Sequence, residues 1–281
     1  MVMINTLRLL NEFDPSSVDE VGNVHLLIEA WRRAYRDRAV YLGDPDFVSI
    51  PADELLSPLY ARGQATSIRL DRATPSHMLA GNAPATDRGD DTTHFSIIDQ
   101  DGNRVAATMS INFWFGSGLI AEGTGVLLNN EMDDFSMKPG TPNGFGLIGD
   151  TANAIAPGKR MLSSMSPTFL ETDRGVAILG TPGGSRIITM VTAAALAYTA
   201  GADAKEMVTL PRFHHQYVPD EVVYETDALS VDMIDALASL GHRLRAAKRP
   251  YGNMQVVTWD YATNIVEAAS DPRGEGMSRV Y

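Results

Sequence analysis

The sequence predicts a layered fold in which strand pairs alternate with helices, α+β or α/β in class. Three observations carry this. Short apolar runs recur in pairs across turn residues, as in Thr93–Ile98 and Arg104–Ile111 flanking Asp99-Gln100-Asp101-Gly102-Asn103, a hairpin signal. Longer stretches repeat apolar residues at helical spacing, as in His25–Val40. No internal repeat is found that would favour a solenoid.

In chain order, His25–Val40 sets Leu27, Ala30, Trp31 and Ala34 at helical spacing, with arginines on the other face. Tyr41-Leu42-Gly43-Asp44-Pro45-Asp46 supplies Gly, Asp and Pro stop signals. Ser57–Ile68 predicts a second, short helix. Leu70–Asp91 is rich in Pro, Gly, Ala, Asp and Thr and reads as an exposed linker. After the hairpin, Phe113–Asn130 alternates glycine with apolar residues. Asp133–Arg160 is a long Gly/Pro/Asn-rich loop, of a length that is usually functional or disordered inside a compact domain. Ser166–Leu170 and Gly175–Gly180 predict a strand pair. Ile187–Ala200 and Val231–Leu240 predict helices, and Gln255–Trp259 with Ile265–Ala269 a last hairpin.

The 281 residues, 44% hydrophobic, suffice for one large domain or two small ones with a sizeable core. A net charge of −12, with no basic block beyond Arg243–Arg249, argues against a nucleic-acid partner. The absence of cysteine excludes disulfides, Cys nucleophiles and thiolate metal sites. The longest apolar stretch, Ile187–Ala200, is too short and mixed for a membrane span. Met1–Asn11 is not followed by the apolar core and cleavage site of a signal peptide. Composition leaves the compartment open.

Thr92 is the strongest candidate for chemistry. It opens Thr92-Thr93-His94-Phe95-Ser96-Ile97-Ile98-Asp99 directly after a polar stretch ending Asp90-Asp91. A hydroxyl nucleophile needs an adjacent base. If the Asp91–Thr92 bond is cut, the new α-amine, with an ordinary pKa of about 7.7–8.0, is such a base. Read alone, this octapeptide favours an ordinary strand threonine. Pro182-Gly183-Gly184-Ser185-Arg186 before a helix offers converging backbone N–H groups for an anion, an oxyanion hole among the options, or simply a capped turn. Ser163 and Ser164 offer paired hydroxyls without the Gly-x-Ser-x-Gly of a nucleophile elbow. Asn129-Asn130-Glu131-Met132-Asp133-Asp134-Phe135 can hold an ammonium, and it lacks the alternating oxygens of a calcium loop. His214-His215 lack a third ligand at metal spacing and read as structural; His25, His77, His94 and His242 are scattered. No metal or cofactor is expected.

Taken in order, these segments resemble the γ-glutamyltranspeptidase family. The resemblance runs through Thr92–Ser96, Leu127–Phe135, Leu162-Ser163-Ser164-Met165-Ser166-Pro167-Thr168 and Pro182–Ile187. It continues in Pro211-Arg212-Phe213-His214-His215-Gln216 and Ala269-Ser270-Asp271-Pro272-Arg273. Upstream, Ala34-Tyr35-Arg36-Asp37-Arg38 and Tyr41–Asp46 look like the end of the family's large subunit. The resemblance implies an α+β, four-layer αββα sandwich of the N-terminal-nucleophile hydrolases, of which this chain is the C-terminal portion. Residues 1–91 would be the end of the large subunit with its linker, and residues 92–281 the small, catalytic subunit. It further implies self-cleavage before Thr92, then transfer of a γ-glutamyl group from glutathione or a similar donor. The acceptor would be water, an amino acid or a peptide.

By the same resemblance, Ser110 is the hydroxyl beside the nucleophile, where the family often has Thr. Asn112, Glu131 and Asp134 hold the substrate's α-amino end, Glu131 replacing a Gln of some members. Ser163 and Ser164 contact the α-carboxylate, and Gly183 and Gly184 form the oxyanion hole. Pro139–Gly158 matches a lid, but Phe145 stands where lidded bacterial enzymes often have Tyr, so the lid's hydrogen bond to Asn112 is expected to be lost. The family's large subunit also supplies an Arg for the substrate carboxylate, to which no residue here is assigned. The remainder of the large subunit is therefore an expected partner. The family implies a periplasmic or secreted location, with the cytoplasm left open. Two other readings stand beside this one. Cephalosporin and glutaryl acylases share much of the motif set but bind an acyl chain without the α-amine, against which Asp134 speaks. Alternatively the chain is an uncleaved, inactive part that serves in assembly.

Overall fold

The structure, a computed structural model, describes residues 1–79 and 91–281. The helices are α1 (Val2–Leu10), α2 (Glu20–Tyr41), α3 (Ala52–Leu55), α4 (Pro58–Ala65), α5 (Ile187–Thr199), α6 (Ala204–Thr209) and α7 (Val231–Ser239). The strands are β1 (Asp91–Ile98), β2 (Arg104–Asn112), β3 (Thr168–Thr172), β4 (Gly175–Gly180), β5 (Phe213–His214), β6 (Val222–Tyr224), β7 (Leu244–Ala246), β8 (Gln255–Asp260) and β9 (Ile265–Ser270). They fall into two units. The first gathers the described residues of Met1–Arg88, Met132–Ser163 and Phe213–Lys248; the second those of Gly89–Glu131, Ser164–Arg212 and Arg249–Tyr281. Each unit thus draws on both sides of Thr92.

The first unit is built around α2. Asp19 caps it by accepting from the Gly22 N–H, and Arg38 in its last turn suits the negative end of the helix dipole. One apolar edge, with Leu26 and Ala30, packs with Leu9 and Ile68. The other, with Ile28, packs with Val222, Leu229, Met233 and Leu237. A helix covered on both sides must bury the charges between. Arg32 and Arg33, expected on an open polar face, are only 2% and 1% exposed and are paired with Glu29. Beside α2 lies a small sheet in which β5 pairs antiparallel with β6 and β6 parallel with β7.

The second unit is layered. β3-β4-β8-β9 form an antiparallel sheet whose β4 is buried throughout. Val176 and Ile178 of β4 pack with Val257, and against them lie Ile98 of β1 and Ala106 of β2. The β1–β2 hairpin is therefore a second sheet stacked on the first. Helices α5 and α6 contact the four-stranded sheet. The alternation of β1 and β2 leaves Phe95, Ile97, Val105 and Met109 39–56% exposed on the hairpin. One helical layer and two sheet layers are thus present in this unit.

The predicted strand pairs and the three long predicted helices form, with β3 displaced two residues toward the C-terminus of its expected position. Helices α1, α3 and α6 and the β5-β6-β7 sheet were not expected. Where the linker is described it is exposed, as expected, at Leu70, Asp71, Arg72, Pro75, His77 and Met78, but Ser76 within it is only 2% exposed. Its remainder, residues 80–90, lies outside the described residues. The long loop after Asp133 is packed, with Phe135, Phe145, Leu147 and Ile148 buried.

Candidate active site

Thr92 sits near the start of β1, half-buried, on the same face as buried His94. The pairing register of β1 with β2 steps from Asp91↔Asn112 to Thr92↔Ser110, so Ile111 is an extra residue opposite the Asp91–Thr92 bond. Such a bulge redirects side chains at the end of a ladder. Asn112 absorbs it with φ +74°, a left-handed conformation that Asn tolerates better than most residues. The consequence is local. The Thr92 hydroxyl donates to Ser110 Oγ at 3.2 Å, and Ser110 Oγ also accepts from the Asn112 N–H at 2.8 Å.

Asn130 braces the bulge from the far side. Its N–H donates to the Ile111 carbonyl at 3.2 Å, its carbonyl accepts from Asn112 Nδ2 at 3.0 Å, and its Oδ1 accepts from the Phe113 N–H at 3.0 Å. Asn112 therefore gives an N–H of its amide to Asn130. Glu131 follows at the head of a one-turn helix, Glu131–Asp134, with its N–H donating to Asn129 Oδ1. Its Oε1 is buried without a hydrogen-bond partner among the described residues. A buried carboxylate oxygen left open in this way is a ready acceptor for a cation.

His94 marks where the two sheets meet. A Cβ added to Gly180, the last residue of β4, would lie 2.3 Å from the imidazole. The ring nitrogens are taken by Thr108 Oγ1 at 2.8 Å and Ser96 Oγ at 3.0 Å. Burial lowers its pKa to about 4, so it is neutral near pH 7. Thr92, two residues before His94, and Gly183-Gly184, just beyond Gly180, flank this contact. Gly183 and Gly184 have φ of +145° and +53°, which favours residues without Cβ at both. The turn is fixed by Thr181 Oγ1, which donates to the Pro182 carbonyl at 2.8 Å and accepts from the Asn253 N–H at 3.1 Å. A short helical turn, Gly184–Arg186, then leads into α5.

Of the nine predicted site residues, Thr92, Ser110, Asn112, Glu131, Ser164, Gly183 and Gly184 lie in the second unit. Asp134 and Ser163 lie in the first. Ser164 is buried and Ser163 exposed. The structure joins Thr92, Ser110 and Asn112 directly by hydrogen bonds. In the first unit Asp134 acts electrostatically on Arg38, opposing the burial that lowers the pKa of that guanidinium. The stretch before Ser163 is tied to the end of α2. Arg38 donates to the Leu162 carbonyl at 3.2 Å, and Asp44 accepts from the Arg160 N–H at 2.8 Å and from its guanidinium. Within the long loop, Phe145 is buried, and its carbonyl accepts from Gln216 Nε2 at 3.0 Å. Two contributors were missed in the sequence. Asn130 was visible only as one of two adjacent amides. His94 was counted as scattered, although its spacing of two from Thr92 on a strand puts both on one face.

A threonine near the head of a strand, two stacked sheets and a helical layer on one of them fit the N-terminal-nucleophile hydrolase class of fold. A cephalosporin acylase from Bacillus halodurans has this architecture and superposes with a TM-score of 0.80, at 25% identity, over 98% of this chain and 48% of its own. The chain belongs to the γ-glutamyltranspeptidase family, whose model matches residues 1–281. It is 40% identical over 275 residues to the glutathione hydrolase proenzyme of Escherichia coli (strain K12), covering 96% of this chain and 47% of that protein. A chain of the γ-glutamyltranspeptidase from Pseudomonas nitroreducens, solved in complex with L-DON, is 45% identical with a TM-score of 0.63. It covers 67% of this chain and is itself covered to 99%. The chain thus spans about half the length of the curated relatives it matches.

Proposed function

We propose that this chain is the C-terminal part of a self-cleaving precursor that transfers or hydrolyses γ-glutamyl groups, with Thr92 as nucleophile. The observation that carries the reading is the Thr92 hydroxyl in hydrogen-bond contact with Ser110, opposite a bulge at the bond to be broken. In the first reaction Thr92 Oγ attacks the Asp91 carbonyl carbon. The peptide nitrogen leaves as the Thr92 amine, giving an ester between Asp91 and Thr92, and water hydrolyses it. The freed α-amine is then the base for Thr92 in turnover. The share of this chain matched by the Pseudomonas nitroreducens chain, 67%, is close to that of Thr92–Tyr281, consistent with a separate small subunit.

In the second reaction the γ-carbonyl of glutathione or another γ-glutamyl amide meets Thr92. Gly183 and Gly184 supply N–H groups to the oxyanion, for which one donor is worth about 2.7–4 kcal/mol in the transition state. Asn112, Glu131 and Asp134 take the α-ammonium, and Ser163 and Ser164 the α-carboxylate. The acyl-enzyme passes its glutamyl group to water or to an amino-acid or peptide amine. Mass measurement of the purified chain tests the scheme. Two fragments split between Asp91 and Thr92 are expected, none in Thr92→Ala, and a Thr92→Ala chain that still splits there refutes it.

A second reading, an acylase taking a glutaryl group, is favoured by the close superposition on the Bacillus halodurans enzyme. The open Glu131 carboxylate and the higher identity to glutathione hydrolases weigh against it. Comparing γ-glutamyl-p-nitroanilide with glutaryl-p-nitroanilide separates the two. The exposed apolar residues of the β1–β2 hairpin favour weak turnover until the remaining part of the large subunit covers them. Strong turnover by this chain alone would overturn that expectation.

A further inference from the structure

A buried charge network in the first unit is used by neither reaction. It joins residues from both sides of Thr92. Asp220, in the loop before β6, accepts from Arg32 Nη1 of α2, from the Ser76 N–H at 2.8 Å and from His215 Nε2 at 3.2 Å. Because His215 Nδ1 accepts from the Tyr217 N–H at 3.1 Å, the neutral ring carries its proton on Nε2, aimed at Asp220. Glu29 accepts from Arg32, from Arg33 and from the Thr74 N–H at 3.1 Å. A histidine relay lies alongside. His242 Nδ1 is 3.4 Å from Arg32 Nη2, His242 Nε2 is 2.8 Å from His25 Nδ1, and His25 Nε2 is 2.8 Å from the Arg69 carbonyl. Arg32 can only donate and the carbonyl can only accept. A single order therefore satisfies every member: Arg32 to His242, His242 to His25, His25 to Arg69.

All three branches end on one stretch of chain, residues 69–79. Further bonds hold it: Arg32 Nη1 donates to Ser76 Oγ at 2.7 Å, Arg33 Nη2 to Thr74 Oγ1 at 3.1 Å, the Ala73 N–H to the Leu240 carbonyl at 2.6 Å, and Tyr217 Oη to the Leu79 carbonyl at 3.0 Å. The groups that grip this stretch from beyond Thr92 are Asp220, Tyr217 and Leu240, while His242 acts through Arg32 and His25. Those that grip it from before are Glu29, Arg32, Arg33 and His25. Arg32 and Glu29 are 2% and 0% exposed. Removing one partner of such a set strands a charge away from water, which costs far more than an exposed pair is worth.

We infer that the network centred on Asp220 is a polar clasp that, beside the apolar packing of Ile28 on Val222, Leu229, Met233 and Leu237, keeps the fragment ending at Asp91 bound to the fragment beginning at Thr92. The inference rests on the cleavage reading for its biological meaning. The partner it fits is the other product of the same chain: a helix bearing Glu29 and Arg32, followed by the 69–79 strap. Asp220 is the member that touches helix, strap and His215 at once, so it is the keystone. By contrast, Arg69–Asp71 is an exposed pair within one fragment and contributes nothing to the clasp.

The test cuts the chain without relying on self-cleavage. A specific protease site is placed between Leu79 and Asp91 in a Thr92→Ala chain, which is then nicked and followed by size-exclusion chromatography and fragment-exchange kinetics. The nicked chain with an intact network is expected to run as one species. Asp220→Asn is expected to release its fragments faster by a factor of about thirty or more. Ser76→Ala lies on the strap, removes an acceptor of Arg32 and leaves the Asp220 bond in place. It is expected to give a several-fold rise, and it serves where uncut Asp220→Asn does not fold. Asp71→Ala is expected to change nothing. Equal release from the intact network and from Asp220→Asn or Ser76→Ala would overturn the clasp. Failure of the natural chain to cleave itself would instead count against the cleavage reading and leave this measurement unaffected.

Discussion

Ser110 receives two hydrogen bonds that do different work, one from the Thr92 hydroxyl and one from the Asn112 N–H. Replacing it by Ala removes the partner of the nucleophile and strands an amide in the bulge, which costs about 1–3 kcal/mol where that amide is buried. Ser110→Ala is therefore expected to slow the appearance of the Thr92 fragment and lower Tm, whereas Ser110→Thr, which keeps the hydroxyl, restores both. Time-resolved mass measurement with a thermal melt reads the two effects. At Gly183 two effects compete in size. A Cβ would come within 2.5 Å of Met190 Cε, but that methyl ends a flexible side chain and can move. The φ of +145° cannot be relieved in the same way, and such backbone strain costs about 1–3 kcal/mol. Gly183→Ala is expected to destabilise the chain by that amount in a denaturant titration, and to weaken any oxyanion contact because the N–H is re-aimed.

At the scale of elements, α6 is short and owes its start to its cap. Asp203 accepts from the Glu206 N–H at 2.7 Å, and the Glu206 side chain accepts from the Asp203 N–H at 2.9 Å. Asp203→Ala is expected to cost about 1 kcal/mol, read as a fall in the denaturation midpoint with an unchanged slope. The capping pair was visible in the sequence as Asp203-Ala204-Lys205-Glu206, yet the apolar run that follows is too brief to announce a helix by period. The same limit explains β5, β6 and β7, which are two or three residues long. They hold together only because α2 and α7 cover them, a tertiary cause that a local pattern cannot carry. The hairpins around Asp101-Gly102 and Ala262 were legible because alternation and turn chemistry agree there. Thr92, Gly183 and Gly184 were singled out as candidates through the order of their motifs. The brace supplied by Asn130 and the gathering of His25 and His242 were not, since the two histidines are 217 residues apart.

Across the whole molecule, three histidines are held neutral by burial, which sets how the fold responds to acid. His94 in the second unit and His215 in the first have pKa values lowered to about 4, and His242 in the first to about 3, Arg32 adding to burial at the last two. In the unfolded chain each titrates near about 6.5. Above that pH both states carry the rings neutral, and the histidines give no pH dependence. Below it the unfolded chain takes up protons that the folded chain refuses, so stability falls as pH falls. Each ring contributes a slope of up to about 1.4 kcal/mol per pH unit until its folded pKa is reached. Two such rings in the first unit and one in the second make the first unit the more acid-sensitive. The carboxylates continue the trend further down. Glu29 is lowered to about 2, against its own burial, by Arg32 and Arg33, and Asp220 is held well below the usual carboxylate range by His215, Arg32 and the Ser76 N–H. Asp37, raised by burial, works in the opposite direction over the same low range. Urea titrations at pH 8, 7, 6 and 5 are expected to show stability nearly flat from pH 8 to 7 and then falling with increasing slope. Asn in place of His242 cannot take a proton at these pH values, and His242→Asn is expected to flatten the slope by about one proton. A stability that does not change between pH 7 and 5, or a slope that His242→Asn leaves untouched, would show that these rings titrate in the folded chain as they do in the unfolded one.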